Sequence, residues 1–577
     1  MPRLAFEDVR ITYTIRSEDG PKELTAVDGV SLVLEPGGTL GLAGESGCGK
    51  STLAMSVLRL LPANARLEGR VLLGAEDVSE LSWGRLRAVR WTSAAVVFQG
   101  AMHSLNPVQR IGDQIEEALR IHASDLDPVY REEKGRRARV DELLGLVDLP
   151  REKAVSYPHE LSGGQKQRVM IAMALACEPE LIIADEPTTA LDVVVQDQVL
   201  QVLSGLVASR GLSLVMISHD LSVLAATCER IAVMQDGRIV EEGPADSVMH
   251  HPQHPHTRAL AAAFPTIGDP GSRMRLPGYA APPAEPAADA VPVLEARNVS
   301  VSFAGRGAGT VRAVDGVSLA CRRGEIVALV GQSGSGKTTL ARTLLGLQQP
   351  TGGELLFDGA PLPRRRRALK AYRRAVQFVL QDPAAALNPK HTVYESVAEG
   401  PRLHKLPGDE TQLVAEALAK AELSPPDRFG PALPQELSGG QRQRVVIAGA
   451  LALDPEFLVA DEPVASLDAS VRAEILALLL RLRCELGLGA LVITHDLGLA
   501  WNIADRVVVM YQGKIVEEGP VEQVLLDPQH EYTRRLLSVV PTAGRPVRGA
   551  DEGPPVPGAA GSPDQAGFPD AAVGGPA

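Results

Sequence analysis

Short apolar runs alternate with helical patterns along this chain, and they occur at matching places in its two halves. Leu40–Ala43 and Leu181–Ala184 are such runs in the first half, and Ile326–Val330 and Phe457–Ala460 are their counterparts in the second. Apolar positions at helical spacing follow the first run, over Thr52–Leu61. Strands that are apolar on both faces are typical of a parallel sheet covered by helices, so the pattern predicts an α/β fold.

The sequence repeats itself over the length of a whole domain. Three identical segments align the copies: Ala26–Leu32 with Ala313–Leu319, Leu161–Gln165 with Leu437–Gln441, and Val240–Pro244 with Val516–Pro520. The repeat is far longer than a solenoid unit, so each copy is predicted to fold as a complete domain. We therefore expect one domain over residues 1–265 and a second over residues 294–541. Residues 266–293 and 542–577 are rich in Pro, Ala and Gly, which predicts a linker and a disordered tail.

Composition and charge narrow the classes of function. Hydrophobic residues make up 45% of the chain and aromatic residues only 3%, so the cores are expected to be aliphatic. The formal net charge of −13 argues against a nucleic-acid partner, which favours an excess of Lys and Arg. The five cysteines form no CxxC pair and suit a reducing compartment. Since no apolar run reaches the roughly 18 residues of a spanning helix, a membrane role would need another chain to cross the bilayer.

A glycine-rich loop follows the first apolar run of each half. Gly44–Ser51 and Gly331–Thr338 both match the pattern G-x4-G-K-[ST] between a strand and a helix. In such a loop, backbone N–H groups surround the phosphates of ATP, the lysine reaches the β- and γ-phosphates, and the hydroxyl residue binds Mg²⁺. The residues predicted to bind ATP here are Gly44, Gly47, Gly49, Lys50, Ser51 and Thr52 in the first half and Gly331, Gly334, Gly336, Lys337, Thr338 and Thr339 in the second.

Two carboxylates end the later apolar strand of each half. They are Asp185 and Glu186 in the first half and Asp461 and Glu462 in the second. Beside a phosphate loop, the first carboxylate can hold Mg²⁺ through its water shell, and the second can orient and deprotonate the attacking water. We therefore expect the aspartates to serve the metal and the glutamates to be catalytic.

Taken together, these motifs resemble the ATP-binding-cassette (ABC) ATPases, whose signature motif matches Leu161–Gln165 and Leu437–Gln441. The resemblance implies two tandem P-loop NTPase domains, each with a mainly parallel core sheet, an antiparallel β subdomain and a helical subdomain. It also assigns roles to further residues: Ser162, Gly163, Gly164, Ser438, Gly439 and Gly440 bind ATP, Gln99 and Gln381 of the Q-loop join the metal site, His219 and His495 are catalytic switch histidines, Asp192 and Asp468 belong to the D-loops, and Tyr13 and Phe303 stack on adenine.

Two domains of this family meet head to tail, and the signature motif of one acts on the nucleotide of the other. The resemblance implies that Ser438 faces the ATP held by Lys50 and that Ser162 faces the ATP held by Lys337. Small residues at Ser162–Gly164 leave the N-terminal amides of the following helix open to an anion. One chain would then supply both composite sites, and we expect both to hydrolyse ATP.

Segments beyond the catalytic residues recur as well. His251–Leu260 repeats as Asp527–Leu536, and Ser104–Pro107 repeats as Ala386–Pro389. These segments resemble the ATPases of oligopeptide and dipeptide importers, a family that also handles nickel and glutathione. The resemblance implies two transmembrane permease subunits, an extracytoplasmic solute-binding protein and a peripheral position on the cytoplasmic side of the cell membrane. Many relatives hold an iron–sulfur centre with a cysteine cluster, but the cluster is absent here and no centre is expected.

Several alternatives remain open at this level. An importer of the same class could carry nickel, glutathione or another small solute instead of di- or oligopeptides. Fused monosaccharide-import ATPases have a similar size, but they usually have one degenerate site. Ribosome-associated tandem ABC proteins usually join their halves by a long basic helix, unlike the Pro- and Ala-rich residues 266–293.

Overall fold

A computed structural model describes residues 2–17, 20–98, 100, 104–189, 191–263, 267–276, 291–304, 310–363, 365–465 and 467–540. Gln99, most of the predicted linker and the tail 542–577 lie outside the described residues. Among the helices within these ranges, none is both long and apolar enough to cross a membrane.

The N-terminal half, residues 2–263 of the described chain, contains two sheets. Its strands are β1 (Leu4–Ser17), β2 (Gly20–Leu34), β3 (Thr39–Ala43), β4 (Ala65–Leu73), β5 (Glu76–Asp77), β6 (Ala94–Val97), β7 (Leu181–Asp185), β8 (Ser213–Ile217), β9 (Arg230–Gln235) and β10 (Arg238–Pro244). An antiparallel sheet has the order β2-β1-β4-β5. The second sheet has the order β10-β9-β3-β8-β7-β6, and all its neighbours are parallel except β10 with β9.

The C-terminal half, residues 291–540 of the described chain, repeats this arrangement. Its strands are β11 (Leu294–Ala304), β12 (Thr310–Cys321), β13 (Ile326–Val330), β14 (Gly352–Phe357), β15 (Ala360–Pro361), β16 (Val376–Val379), β17 (Phe457–Asp461), β18 (Gly489–Thr494), β19 (Arg506–Tyr511) and β20 (Lys514–Pro520). The antiparallel sheet has the order β12-β11-β14-β15, and the mainly parallel sheet has the order β16-β17-β18-β13-β19-β20.

Helices connect the strands at corresponding places in both halves. In the N-terminal half they span Lys50–Ser56, Trp83–Val89, Ile111–Ile121, Glu133–Leu146, Gly163–Ala174, Val193–Arg210, Leu221–Thr227, Ala245–His250 and Pro255–Ala262. In the C-terminal half they span Lys337–Leu344, Arg366–Ala375, Pro383–Ala386, Val393–His404, Glu410–Lys420, Pro426–Phe429, Gly439–Leu451, Ala469–Leu486, Leu497–Ile503, Val521–Leu526 and Glu531–Ser538. The predicted fold class, two tandem α/β domains with parallel and antiparallel sheets, is confirmed.

Each mainly parallel sheet is buried on both faces. Along β7, Ile182 and Ala184 pack with the helices, whereas Leu181 and Ile183 pack with the antiparallel sheet. Because successive side chains point to opposite faces of a strand, a strand covered on both faces needs an apolar residue at every position. This packing explains why the central strands stand out in the sequence as uninterrupted apolar runs.

The two halves bury residues in each other. Val194, in helix Val193–Arg210, belongs to the apolar core of the C-terminal half. Reciprocally, Ala469, which opens helix Ala469–Leu486, belongs to the apolar core of the N-terminal half. Both helices begin directly after the predicted D-loop aspartates, so these loops lie at the interface.

Residues 267–276, within the predicted linker, pack on the C-terminal half. The backbone N–H of Met274 donates to Asn502 Oδ1 at 2.6 Å, and the guanidinium of Arg273 lies 5.6 Å from the centroid of the Trp501 ring. The composition of this segment predicts a semi-extended linker. Within it, Arg273 and Met274 contact the helix that follows the predicted switch histidine of the C-terminal half.

Candidate nucleotide-binding sites

The phosphate loops of both halves require glycine directly before the lysine. Gly49 and Gly336 each have φ of 105°, in the left-handed region that L side chains rarely adopt. A Cβ added to Gly49 would lie 2.2 Å from the carbonyl oxygen of Ala26, and one added to Gly336 would lie 2.1 Å from that of Ala313. The backbone thus comes too close to the neighbouring strand for any side chain.

Both loop lysines are buried and bonded to their own loops. Lys50 Nζ donates to the carbonyl oxygens of Gly44 and Glu45 at 2.7 and 2.6 Å. Lys337 Nζ makes the two equivalent bonds at 2.5 and 2.9 Å. Burial lowers the pKa of Lys337, although the nearby carboxylates oppose this shift. Each ammonium group therefore lies inside the loop, in a position from which it can reach a bound phosphate.

The residues around each loop hydroxyl fit a magnesium ion. Ser51 Oγ donates to Asp185 Oδ1 at 3.0 Å. In the second half, the nearby Thr338 hydroxyl acts to lower the pKa of Asp461. Burial raises the pKa of both aspartates above the usual value, against the lowering effect of these hydroxyl groups. Hydroxyl and carboxylate oxygens, completed by phosphate oxygens and water, are the ligands that Mg²⁺ prefers.

The predicted catalytic glutamates have a strained backbone. Glu186 and Glu462 have φ of 45° and 46°, which is uncommon for a residue with a side chain. The N–H of Glu186 donates to Ile217 O at 3.0 Å, and that of Glu462 donates to Ile493 O at 2.9 Å. These bonds fix each glutamate at the carboxyl edge of its sheet. Strain held in this way by surrounding structure is typical of functional sites.

One oxygen of each glutamate faces the predicted switch histidine. His219 Nδ1 lies 3.5 Å from Glu186 Oε1, and His495 Nδ1 lies 3.0 Å from Glu462 Oε1. Burial alone would raise the pKa of both glutamates, but the hydrogen bond and charge of the histidine lower it overall. In return, Glu462 raises the pKa of His495 against the effect of burial. The carboxylates are therefore ionised and able to accept a proton.

The other oxygen of each glutamate also accepts a hydrogen bond, and one described donor has no counterpart in the other half. Gln99, the counterpart of Gln381, lies outside the described residues. Thr189 Oγ1 donates to Glu186 Oε2 at 2.8 Å. Ala465 occupies the corresponding place in the C-terminal half, where Gln381 Nε2 donates to Glu462 Oε2 at 2.7 Å. The sequence predicts that Gln381 joins the metal site and assigns no role to Thr189. The available signal is the difference between Thr189 and Ala465, in segments that share Asp-Glu-Pro before this place and Leu-Asp after it.

The signature residues form helix caps and a close packing contact. Gln165 N–H donates to Ser162 Oγ at 3.3 Å, and Ser438 caps the matching helix in the same way. An added Cβ on Gly164 would lie 2.1 Å from Val195 Cγ1, and its counterpart Gly440 has the same contact with Val471 at 2.2 Å. The second glycine of the motif therefore serves helix packing, in addition to the anion binding that the sequence predicts for it.

The phosphate loop of each half is bonded to the opposite half. Ser46 N–H donates to Asp468 Oδ1 at 2.9 Å. Ser333 N–H donates to Asp192 Oδ2 at 3.1 Å. Both acceptors are the predicted D-loop aspartates, so each one lies on the loop of the other half.

A cavity of about 560 Å³ opens between the halves beside the second loop. Lys337, Glu462 and His495 line it from the C-terminal half, and Asp192 and His219 line it from the N-terminal half. Volumes of roughly 300–1,000 Å³ suit small-molecule ligands. The cavity thus brings the predicted residues of both halves to one site.

The remaining predicted residues are less closely tied to these sites. Ser162 and Ser438 are exposed and do not line the cavity. Tyr13 is half-buried, and its hydroxyl lies 3.1 Å from Thr52 Oγ1, next to the first phosphate loop. Phe303 is 42% exposed, so its ring is available for stacking. These roles stay predictions.

Two known family models match this chain, and each of them matches once in each half. Residues 27–189 and 314–465 match the family model described as ABC transporter. Residues 240–289 and 516–567 match the model described as the C-terminal region of oligopeptide/dipeptide transporters. The two models therefore recur in the same order in each half.

Relatives match nearly the whole chain. The glutathione import ATP-binding proteins GsiA of Escherichia coli (strain K12) and Shigella sonnei (strain Ss046) are each 41% identical over 570 residues, covering 94% of this chain and 90% of the relative. Among solved structures, cbiO1 from Clostridium perfringens is 31% identical, covers 41% of this chain and 92% of that chain, and has a TM-score of 0.38. The chain belongs to the ABC transporter ATP-binding proteins: it is an ATPase and the ATP-binding subunit of an importer.

Proposed function

We propose that this chain powers the uptake of short peptides, glutathione among them, by hydrolysing two ATP molecules at sites shared between its halves. The observation that carries the motor assignment is the reciprocal pair of hydrogen bonds from each phosphate loop to the opposite aspartate, Asp468 or Asp192. The solute class is supported by the match to the C-terminal region of oligopeptide/dipeptide transporters and by relatives named for glutathione import. Glutathione is a tripeptide, so both indications concern one chemical class.

Each phosphate loop supplies the contacts that an ATP molecule needs. In the first half, Lys50 would turn from its backbone carbonyls to the β- and γ-phosphates, while Ser51 and Asp185 would hold Mg²⁺. When bound, the ion neutralises negative charge on the phosphate oxygens. Lys337, Thr338 and Asp461 would do the same in the second half.

The glutamates are placed to activate the attacking water. Glu186 and Glu462 are ionised, held by a strained turn and bonded through one oxygen to a histidine. Each would accept a proton from water, and His219 or His495 would keep its carboxylate oriented. Residues that orient a nucleophile in this way contribute mainly through positioning.

The crossed contacts couple ATP at one loop to the position of the other half. Binding of ATP would close the halves, and hydrolysis would release them. We propose that this movement acts on two permease subunits near Gln99 and Gln381, with an extracytoplasmic solute-binding protein delivering the solute. The chain would then lie peripherally on the cytoplasmic side of the membrane. The import function in the names of the relatives supports this arrangement.

Uptake in a strain that lacks the gene tests the proposal. Wild-type protein should restore the uptake of labelled glutathione and of a labelled dipeptide, whereas the variant Lys50→Ala, Lys337→Ala should restore neither. Lost glutathione uptake with normal dipeptide uptake would restrict the solute to glutathione. Lost nickel uptake alone would move the assignment to the metal importers of the same class. If all three were normal and the protein sedimented with ribosomes, the importer assignment itself would be wrong.

A further inference from the structure

The C-terminal helix Glu531–Ser538 reaches the phosphate loop of its own half. The hydroxyl of Tyr532 accepts a hydrogen bond from the backbone N–H of Gln332 at 3.0 Å. Tyr532 is 7% exposed, and burial raises the pKa of its phenol above the usual value. A neutral, buried hydroxyl is therefore bonded directly to the second residue of the loop.

The same peptide group is also bonded to the loop lysine. Gly331 O and Gln332 N–H belong to one peptide plane, and Gly331 O accepts a hydrogen bond from Lys337 Nζ at 2.5 Å. The next N–H of the loop, that of Ser333, donates to Asp192 of the opposite half at 3.1 Å. Because a peptide group is rigid and planar, fixing its N–H side with Tyr532 also fixes the carbonyl that holds the lysine.

Tyr532 itself is held firmly in place. Its ring stacks on Tyr511 with centroids 4.1 Å apart and an interplanar angle of 27°. The turn before the helix is anchored by Glu517, which accepts hydrogen bonds from the N–H groups of Gln529 and His530 at 2.7 and 3.0 Å. The hydroxyl therefore reaches the loop from a rigid support.

The N-terminal half has the same glutamate anchor but not the same contact. Glu241 accepts hydrogen bonds from the N–H groups of Gln253 and His254 at 2.8 and 2.9 Å, as Glu517 does in the other half. His256 occupies the place of Tyr532. Its Nε2 is buried and has no hydrogen-bond partner within the described residues. Of these two residues, only Tyr532 bonds a phosphate loop through a hydroxyl group.

We propose that Tyr532 is a positioning residue of the second ATP site. Through it, the C-terminal helix Glu531–Ser538 sets the affinity of that site for ATP. Among the described residues, the first site has no such hydroxyl, because His256 stands in its place. This inference rests on the proposed assignment of the loop containing Lys337 to ATP.

Photolabelling of each half with 8-azido-ATP tests the inference on the full-length chain. Labelled peptides from the two halves are quantified by mass spectrometry over a range of probe concentrations. Loss of one neutral hydrogen bond should raise the half-saturating concentration of the second half roughly threefold to tenfold in Tyr532→Phe and leave the first half unchanged. Tyr532→His introduces the residue that the first half has at this place, and it should raise the half-saturating concentration of the second half as Tyr532→Phe does.

Tyr511→Phe is the matched control, because it keeps the stacked ring and removes a hydroxyl that is bonded to Gln512 instead of the loop. It should leave both half-saturating concentrations unchanged, and all three variants should still unfold cooperatively above the temperature of the labelling experiment. Equal labelling of the second half in Tyr532→Phe and wild type would overturn the inference alone, as would an equal rise in both halves. An unlabelled second half in the wild type would overturn the assignment of the loop to ATP, and the inference with it.

Discussion

The two halves hold their catalytic glutamates by the same turn, but the first has Thr189 beside the carboxylate where the second has Ala465. In both, a histidine bonds one carboxylate oxygen and a strained backbone fixes the residue. The second oxygen is held by Thr189 within the glutamate's own loop in the first half and by Gln381, more distant in the chain, in the second. The comparison teaches that the position of the carboxylate is shared, although the residue three positions after it is Thr189 in one half and Ala465 in the other. The support of the second glutamate includes a residue of the segment proposed to face a permease subunit.

The largest expected effect comes from removing both glutamates. In Glu186→Gln, Glu462→Gln, steady-state ATP hydrolysis should fall about 10²- to 10⁴-fold, the usual contribution of a general base. ATP binding should persist, since the loops and aspartates are unchanged. Phosphate release and nucleotide binding measured on the same preparation check this. The single variants sharpen the comparison: if Glu462→Gln alone leaves hydrolysis intact, only the first half is catalytic.

A smaller effect is expected from the described donors to the second carboxylate oxygen. Thr189→Ala and Gln381→Ala each remove a hydrogen bond to a charged oxygen, which is typically worth about 1.5–3 kcal/mol. Each should lower the turnover of ATP at its own site roughly tenfold or more. Ala465→Thr in the Gln381→Ala background places a hydroxyl where the first half has one, and it should restore part of the turnover. Unchanged turnover in both single variants would show that the second oxygen needs no donor.

Substituting the signature glycines should change the free energy of unfolding, by an amount similar to or smaller than the hydrogen-bond energies above. A methyl group at Gly164 or Gly440 would meet a valine at 2.1 or 2.2 Å, so an alanine substitution should cost about 1–3 kcal/mol. Gly205 lies in the next helix, and an added Cβ there meets nothing within 4 Å. Gly205→Ala should therefore stabilise the protein by up to about 1 kcal/mol. Urea unfolding of the three variants compares them, and destabilisation by Gly205→Ala would contradict the packing argument.

Much of the fold could be predicted because it depends on local patterns. Apolar runs, glycines before lysines and acids after strands each occupy a few neighbouring residues, and the internal repeat supplied a second copy of each. One contact that was missed is local: Thr189 lies three residues after Glu186, and the turn between them brings its hydroxyl to the carboxylate. The other missed contacts join distant segments, as when Tyr532 reaches a loop 200 residues earlier. Met274 packs on the other half despite its Pro- and Ala-rich surroundings. Such contacts depend on tertiary packing, which no local pattern contains.

The central claim is that one chain supplies both sides of each ATP site. X-ray scattering combined with mass measurement tests it most directly, on the variant Glu186→Gln, Glu462→Gln, which should bind ATP without hydrolysing it. On addition of ATP and Mg²⁺, the radius of gyration should fall while the mass stays that of a single chain at every protein concentration. A mass that doubles with ATP, in proportion to protein concentration, would contradict the account, because the halves would then pair between chains.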